Sequence, residues 1–352
     1  SSSGLLARGE VLVPDIGWSK AQDTAVAATL PLGDNGAGVG AVGAAATRPQ
    51  AVSHLGFFNR QPATDNEIVA VTRDAGGAGE ISNVFRLPAT VQWSVVPPRN
   101  GYAAPTFTPW SLGADDFVDS ATFSLGASAA HYGAAAGRGA VAQPVFYFVN
   151  ESNPVAMWPC FRAGVVTEYD YPIAAIGTLT GFTAATCAAL EGRMCFGNVT
   201  YGGTDYPQRM VHSAIGDGAA VSPAIVGAGF VDASEMGGQM LRLLRLGDAL
   251  VGYFESGIVV YTRSYTALTP FNPPQYLTTE VAALSKRSVC AIDRDRHFII
   301  AEQGWFLLDS NGLTELGLLQ APGGVAIRKW QDTFYASVNL QKKQHISTVY
   351  DS

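Results

Sequence analysis

Five histidines (His54, His131, His212, His297 and His345) are the first residues to weigh for chemistry in this 352-residue chain. A zinc site or a general base needs partners at set spacing, such as HExxH on one helix face or a carboxylate beside the imidazole. None of the five stands in such a pattern. His212 and His297 fall at strand positions, where a histidine is expected to be a satisfied structural residue. Ser213 follows His212 but lacks the GxSxG setting of a nucleophile elbow. Asp115-Asp116 and the Asp293/Asp295 pair supply the residue type for glycoside cleavage, which requires two carboxylates facing across a cleft. Asp293-Arg294-Asp295-Arg296 reads instead as a polar turn whose charges are solvated or paired with one another. Residues 38–43 spell GxGxxG, but Gly33-Asp34-Asn35 stands where a buried strand should precede it and no βαβ unit follows, so the match is chance. The four cysteines, Cys160, Cys187, Cys195 and Cys290, show no CxxC spacing. Cys187 and Cys195 could face each other across a hairpin, though buried free thiols are the expectation. These residues together predict a protein that is not an enzyme, with no cofactor and no metal.

Hydrophobic residues make up 47% of the chain and charged residues 14%, which excludes general disorder and allows a core of normal size. Soluble domains carry roughly 25% charged residues, so much of this surface is expected to be buried against neighbours, unless the source simply favours Ala and Gly. The net charge of −7 comes without a basic stripe, which argues against tight binding to nucleic-acid phosphates. A duct past which DNA slides would want such a neutral or acidic wall. No run of 18 apolar residues appears, so no membrane span is expected. Ser1 stands where an initiator methionine would, so a processed or trimmed start is expected.

The elements that would position any site are strands. Residues 243–263 (LLRLGDALVGYFESGIVVYTR) place two apolar runs, 249–254 and 258–261, between the turns Leu246-Gly247-Asp248 and Glu255-Ser256-Gly257. Neither run alternates strictly, so both faces of the sheet are expected to be covered, as in a sandwich or a propeller. The pattern returns at 297–308, with Gly304 lying 47 positions after Gly257, close to the roughly 40 to 50 residues of one propeller blade. Looser copies lie at 144–158, at 190–212 and at 330–350, where 333–340 and 346–350 read as paired strands. About five blade-like units result. Residues 182–191 and 278–286 are the best short helix candidates, both also compatible with strand lead-ins. Trp110, Trp158, Trp305 and Trp330 fall near strand positions and are expected to pack the blades.

Residues 1–140 differ in texture, with short apolar runs and Ala/Gly stretches at 33–47 and 127–140. Such stretches carry little burial energy and read as long loops or arms. Residues 114–123 could be a short helix or a loop. The fold predicted is all-β, with an irregular Ala/Gly-rich β portion over 1–140 and a β-propeller-like body with long insertions over 141–352.

The order LEGRMCFGN, YPQRMVHSAIGD, GAGFVDASEMGG, LLRLGDALVGYFESGIVVY and RHFIIAEQGWFLLDSNG, spanning residues 190–315, resembles the β-propeller virion proteins of tailed bacteriophages. The matching residues are Gly192, Arg193, Asn198, Arg209, Ser213, Gly216, Asp217, Gly229, Asp232, Gly247, Asp248 and Gly304, a little over a third of the chain in coverage. They are turn and strand markers, not catalytic signatures. The resemblance implies a tail nozzle, tail hub or head-to-tail closure protein that forms a homo-oligomeric ring, typically sixfold, around the DNA exit channel. Its implied partners are further copies of itself, adaptor or portal proteins and tail fibres, with genome DNA passing through without specific binding. The implied location is the virion tail, assembled in the bacterial host cytoplasm. The link 216–238 is the first choice for a loop lining the channel. A glycan-binding propeller for host attachment is the alternative, and a glycoside-cleaving depolymerase a further one.

Overall fold

The computed structural model describes residues 51–58, 67–74, 81–88, 94–95, 116–123, 145–159, 173–174, 179–264, 266, 269–318 and 322–348. The fold is all-β, every strand pair being antiparallel, with a single α-helix among the described residues. The GxGxxG stretch at 38–43, His131, Cys160, Asp115 and Trp110 lie outside the described residues, as do the Ala/Gly stretches 33–47 and 127–140.

The chain divides into two compact units, Ser1–Ala103 with Pro109–Leu112, and Ala104–Thr108 with Gly113–Ser352. In the first, β1 (Ala51–Phe58), β2 (Glu67–Asp74), β3 (Ile81–Pro88) and β4 (Ser94–Val95) form a four-stranded meander in sequence order. That sheet is more regular than the irregular portion expected for 1–140.

The second unit repeats the same plan. Its strands β5 (Val118–Phe123), β6 (Val145–Asn150), β7 (Asn153–Pro159) and β8 (Ile173–Ala174) pair in order. So do β9 (Thr183–Leu190), β10 (Arg193–Tyr201), β11 (Thr204–His212) and β12 (Gly229–Asp232). The next four are β13 (Met240–Leu246), β14 (Ala249–Phe254), β15 (Ile258–Tyr261) and β16 (Gln275–Thr278), and the last four β17 (Val289–Asp293), β18 (Arg296–Ile300), β19 (Trp305–Asp309) and β20 (Gly312–Glu315). Only the Pro154–Thr183 pair joins β7 to β9, so the eight-stranded sheet containing them is two meanders touching at one point. β5 pairs along its whole length with β6.

The first strands of successive meanders pack on one another, β5 on β9, β9 on β13 and β13 on β17. Ala184, Ala185 and Ala188 on β9 are all buried, and small side chains permit this close approach. Three apolar clusters each draw on two consecutive meanders. One joins Phe123, Tyr147 and Val149 to Cys187, Phe196 and Val211; a second joins Leu190, Cys195 and Met210 to Leu243, Phe254 and Tyr261; a third joins Val251, Tyr253 and Ile258 to Val289, Ile299 and Phe306. Neighbouring residues on β14 therefore serve different cores, Leu250 the second and Val251 the third. A strand buried on both faces has no polar positions to alternate, which explains the unbroken run 249–254.

Residues 330–340, expected as a strand lead-in and strand, fold instead as α1 (Pro322–Ser337), followed by a 3-10 turn at Leu340–His345. Ile327, Gln331, Phe334 and Tyr335 recur at helical spacing and form its inner face, and Val338 follows just beyond its end. Trp330 is correspondingly a helix residue and 67% exposed, not a strand-packing one. Residues 182–191 form β9, not a helix, and 278–286 are the end of β16 and the turns after it. No helix of the described residues is long and apolar enough to cross a membrane.

Candidate functional site

Five of the twelve residues carrying the sequence pattern, Gly192, Arg193, Ser213, Gly216 and Asp217, gather at the end of the β9–β12 meander. Glu191 and Gly192 turn β9 into β10 with φ of 45° and 76°, the two-positive signature of a type I′ hairpin. The Gly192 carbonyl accepts from the Gly216 N–H at 2.7 Å, so this turn is tied to the link that follows β11. Arg193 grips the same link at both ends, donating to the carbonyl of Ser213 at 2.7 Å and to that of Gly227. Burial lowers the pKa of its guanidinium, which is held here by carbonyl oxygens. The Ser213 hydroxyl accepts from the Met194 N–H and donates to the Ala214 carbonyl, at 3.0 and 2.9 Å. Asp217 accepts from the Ala219 N–H at 3.1 Å. The link itself buries Ala219, Ala220 and Val221, while Ile215 and Val226 stand exposed.

The remaining pattern residues are placed elsewhere. Asn198, with φ of 52°, occupies a bulge in β10 and donates to Gln239 Oε1 and the Met240 carbonyl at 3.2 and 3.3 Å, reaching β13. Arg209 makes two 2.6 Å bonds to Asp232 across the β11–β12 pair and donates to the Tyr201 hydroxyl at 2.7 Å. The bond to Asp232 is the main reason its pKa is raised. Its guanidinium lies 4.0 Å from the Tyr206 ring centre and 3.8 Å from that of Phe230, so the ring faces turned toward it are occupied. Gly229 lies against His212 on the same strand pair. Gly247 and Asp248 turn β13 into β14, Gly247 at φ 58°. This turn meets the next meander, where Gly247 N–H donates to the Arg294 carbonyl at 2.7 Å and Arg294 pairs with Asp248 at 2.6 Å. Gly304 ends the β18–β19 turn, its carbonyl accepting from Ala301 N–H at 2.9 Å.

A second constellation, invisible in the sequence, sits where the first strands meet. Asp119 on β5 is 2% exposed. One carboxylate oxygen accepts from the Thr186 hydroxyl at 2.6 Å and the Cys187 N–H at 3.2 Å; the other lies 3.1 Å from the Arg242 guanidinium. The Thr186 hydroxyl accepts in turn from Leu243 N–H at 2.9 Å. Arg242 also donates to the Lys286 carbonyl at 3.4 Å and stands 4.8 Å from the Phe117 ring centre. Arg287 donates to the Asp116 carbonyl at 2.8 Å, and Lys286 pairs with Glu151. Side chains of β5, β9 and β13, with the segment before β17, thus form one polar lock spanning all four meanders of the unit.

The histidines are joints of the same kind. His297 is fully buried, with Nε2 2.8 Å from the Arg245 carbonyl and Nδ1 2.7 Å from the Tyr253 hydroxyl. A carbonyl can only accept, so Nε2 carries the proton and Nδ1 accepts from the tyrosine. Burial lowers its pKa to about 4. His212, 4% exposed, packs 5.3 Å from the Phe271 ring and is lowered to about 4 for the same reason. Its Nδ1 faces the Ser213 carbonyl at 3.5 Å, not the hydroxyl, so the two form no nucleophile-base pair. Asp293 and Arg296 pair at 2.5 Å in a solvated turn, as the sequence suggests. Cys187 and Cys195 are free buried thiols serving different cores, Cys187 opposite Phe196 and Cys195 opposite Ala188. Among the described residues no three His, Cys, Asp or Glu side chains group as a metal site.

Compared with protein-family models and with curated protein sequences, the chain matches none. What the geometry offers is mechanical: turns tied to neighbouring turns, a clamped link, and buried polar locks between sheets.

Proposed function

We propose that this protein is a structural, non-enzymatic virion component of a bacteriophage tail, a nozzle, hub or head-to-tail closure subunit that assembles into a ring around the DNA exit channel. In this reading the four meanders of the second unit are blades of a propeller-like body, their first strands innermost. The observation that carries the reading is the use made of the pattern residues. Gly192, Gly216, Arg193 and Ser213 clamp the link after β11; Asn198, Gly247 and Asp248 tie one meander to the next; none converges on a reactive centre. A scaffold that must hold shape while genome passes calls for such joints. Adaptor or portal subunits on one side, tail fibres on the other, and a wall that does not bind DNA specifically complete the proposal.

The test is the mass and symmetry of the purified protein and of its particle-bound assembly, by light scattering and electron-microscopic class averages. A sixfold or twelvefold ring with an axial opening is the expected result. A stable monomer that ignores adaptor and portal overturns it. The glycan-binding alternative has one foothold, the half-exposed Phe230 against the Arg209 guanidinium, and a glycan array addresses it directly.

A further inference from the structure

The outer side of α1 displays a side chain that a solvated helix has little reason to show. Trp330 is 67% exposed, on a helix that is anchored one turn further on. Phe334 packs edge-on against Trp305 with ring centres 5.8 Å apart, and the Tyr335 hydroxyl donates to the carbonyls of Ala301 and Gly304. Arg328 and Lys329, adjacent to Trp330, are exposed and have no carboxylate within salt-bridge reach among the described residues. An exposed tryptophan preceded by two exposed cations is the composition of an interface anchor.

The same chain carries a complementary hollow. Between the β14–β15 and β18–β19 turns lies a cavity of about 210 Å³ whose lining includes Glu255, Glu280 and Glu302 with one cation, Lys343. Lys343 stands 3.5 Å from Glu302, which leaves Glu255 and Glu280 without a cation partner among the described residues. Ala282 and Ala283 supply an apolar wall. An indole suits such a hollow: its ring edge and N–H are electropositive and favour carboxylates. Trp330 of the same chain does not fill it, since it remains exposed.

We propose that Trp330 of one copy seats in the Glu255/Glu280 cavity of a second copy, with Arg328 and Lys329 pairing with those carboxylates at the rim. Knob and hollow are different surfaces, so each copy offers one of each and the contact propagates from copy to copy, closing into a ring where the rotation between copies permits. The inference gives the proposed self-assembly its contact surface, and to that extent it rests on that reading.

Sedimentation velocity on the full chain tests it, across protein concentration and at two salt concentrations. Wild type is expected to associate, with affinity falling between ~0.05 and ~0.5 M NaCl as exposed charge pairs are screened. Trp330→Ala should weaken association by about tenfold or more, the scale of an interface anchor. Arg328→Glu with Lys329→Glu should abolish association, and mixing that variant with Glu255→Lys/Glu280→Lys protein should restore it. Unchanged melting curves separate these effects from misfolding. A ring that survives all substitutions overturns this contact and leaves the ring reading intact. A dimer, not a ring, that is lost in Trp330→Ala supports the contact and overturns the ring. A wild type monomeric at ~100 µM, far above the dissociation constants of stable interfaces, overturns both.

Discussion

Replacing Thr186 with valine removes one oxygen and keeps the side-chain shape, yet that oxygen joins three meanders. It donates to Asp119 Oδ2 at 2.6 Å and accepts from Leu243 N–H at 2.9 Å, all in fully buried surroundings. The substitution strands a backbone N–H, which costs about 1–3 kcal/mol, and removes a hydrogen bond to a buried carboxylate, worth about 1.5–3 kcal/mol. The partners lie in one network, so simple addition overstates the total, and about 3–5 kcal/mol is expected. Thr186→Ser keeps the hydroxyl and loses one methyl, about 1 kcal/mol. With a urea m-value of about 3 kcal/mol/M, the valine variant should unfold 1 M or more earlier than wild type and the serine variant by about 0.3 M. If valine falls within about 1 kcal/mol of wild type, or serine matches valine, the hydroxyl is not a lock and the account of how the first strands hold together fails.

Acid should loosen the joints. His212 and His297 titrate near 4 in the fold against about 6.5 unfolded, so their stability is fully present above pH 6.5, declines from 6.5 to 4 and is flat below. Unfolding at pH 5 should take up about two protons on this pair, and His297→Gln should reduce the slope of stability against pH by about one proton's worth, about 1.4 kcal/mol per pH unit. Gly247→Ala forces a Cβ onto φ 58° and should lower stability by about 1–2 kcal/mol, whereas Arg294→Ala at the same turn loses only an exposed pair, less than about 1 kcal/mol, as differential scanning calorimetry will read. In a Cys160→Ser/Cys290→Ser background, Cys187 and Cys195 should resist a thiol reagent until the protein unfolds, because burial raises the pKa of both; labelling of either at native rates would refute their placement.

The strands that the sequence made legible are the central ones. Ala249–Phe254 and Ile258–Tyr261 coincide with runs that read as strands because both their faces are buried. The first strands hide. Thr183–Leu190 reads TAATCAAL, a helix-like composition, because its neighbours crowd it and only small side chains fit. Helix α1 was masked by the opposite effect, a Gln at the centre of its inner face and β-prone Trp, Thr, Phe and Tyr around it. The pattern residues from Gly192 to Asp248 were readable because turns impose local conformations. The Asp119–Thr186–Arg242 lock was not: its members lie 67 and 56 positions apart, and nothing in a linear chain marks an aspartate that a distant strand will cover.

Arg193 holds the carbonyls of Ser213 and Gly227, so both ends of the link between β11 and β12 are pinned to one side chain. Closing a loop whose ends are already fixed costs little more as it lengthens, about 0.6 kcal/mol for each doubling. Beyond the buried Ala219–Val221, the stretch from Ser222 to Val226 is therefore a place where residues can be inserted or trimmed without disturbing strand register. Changes there would leave Arg193 and its two carbonyl partners as a fixed frame around an altered text.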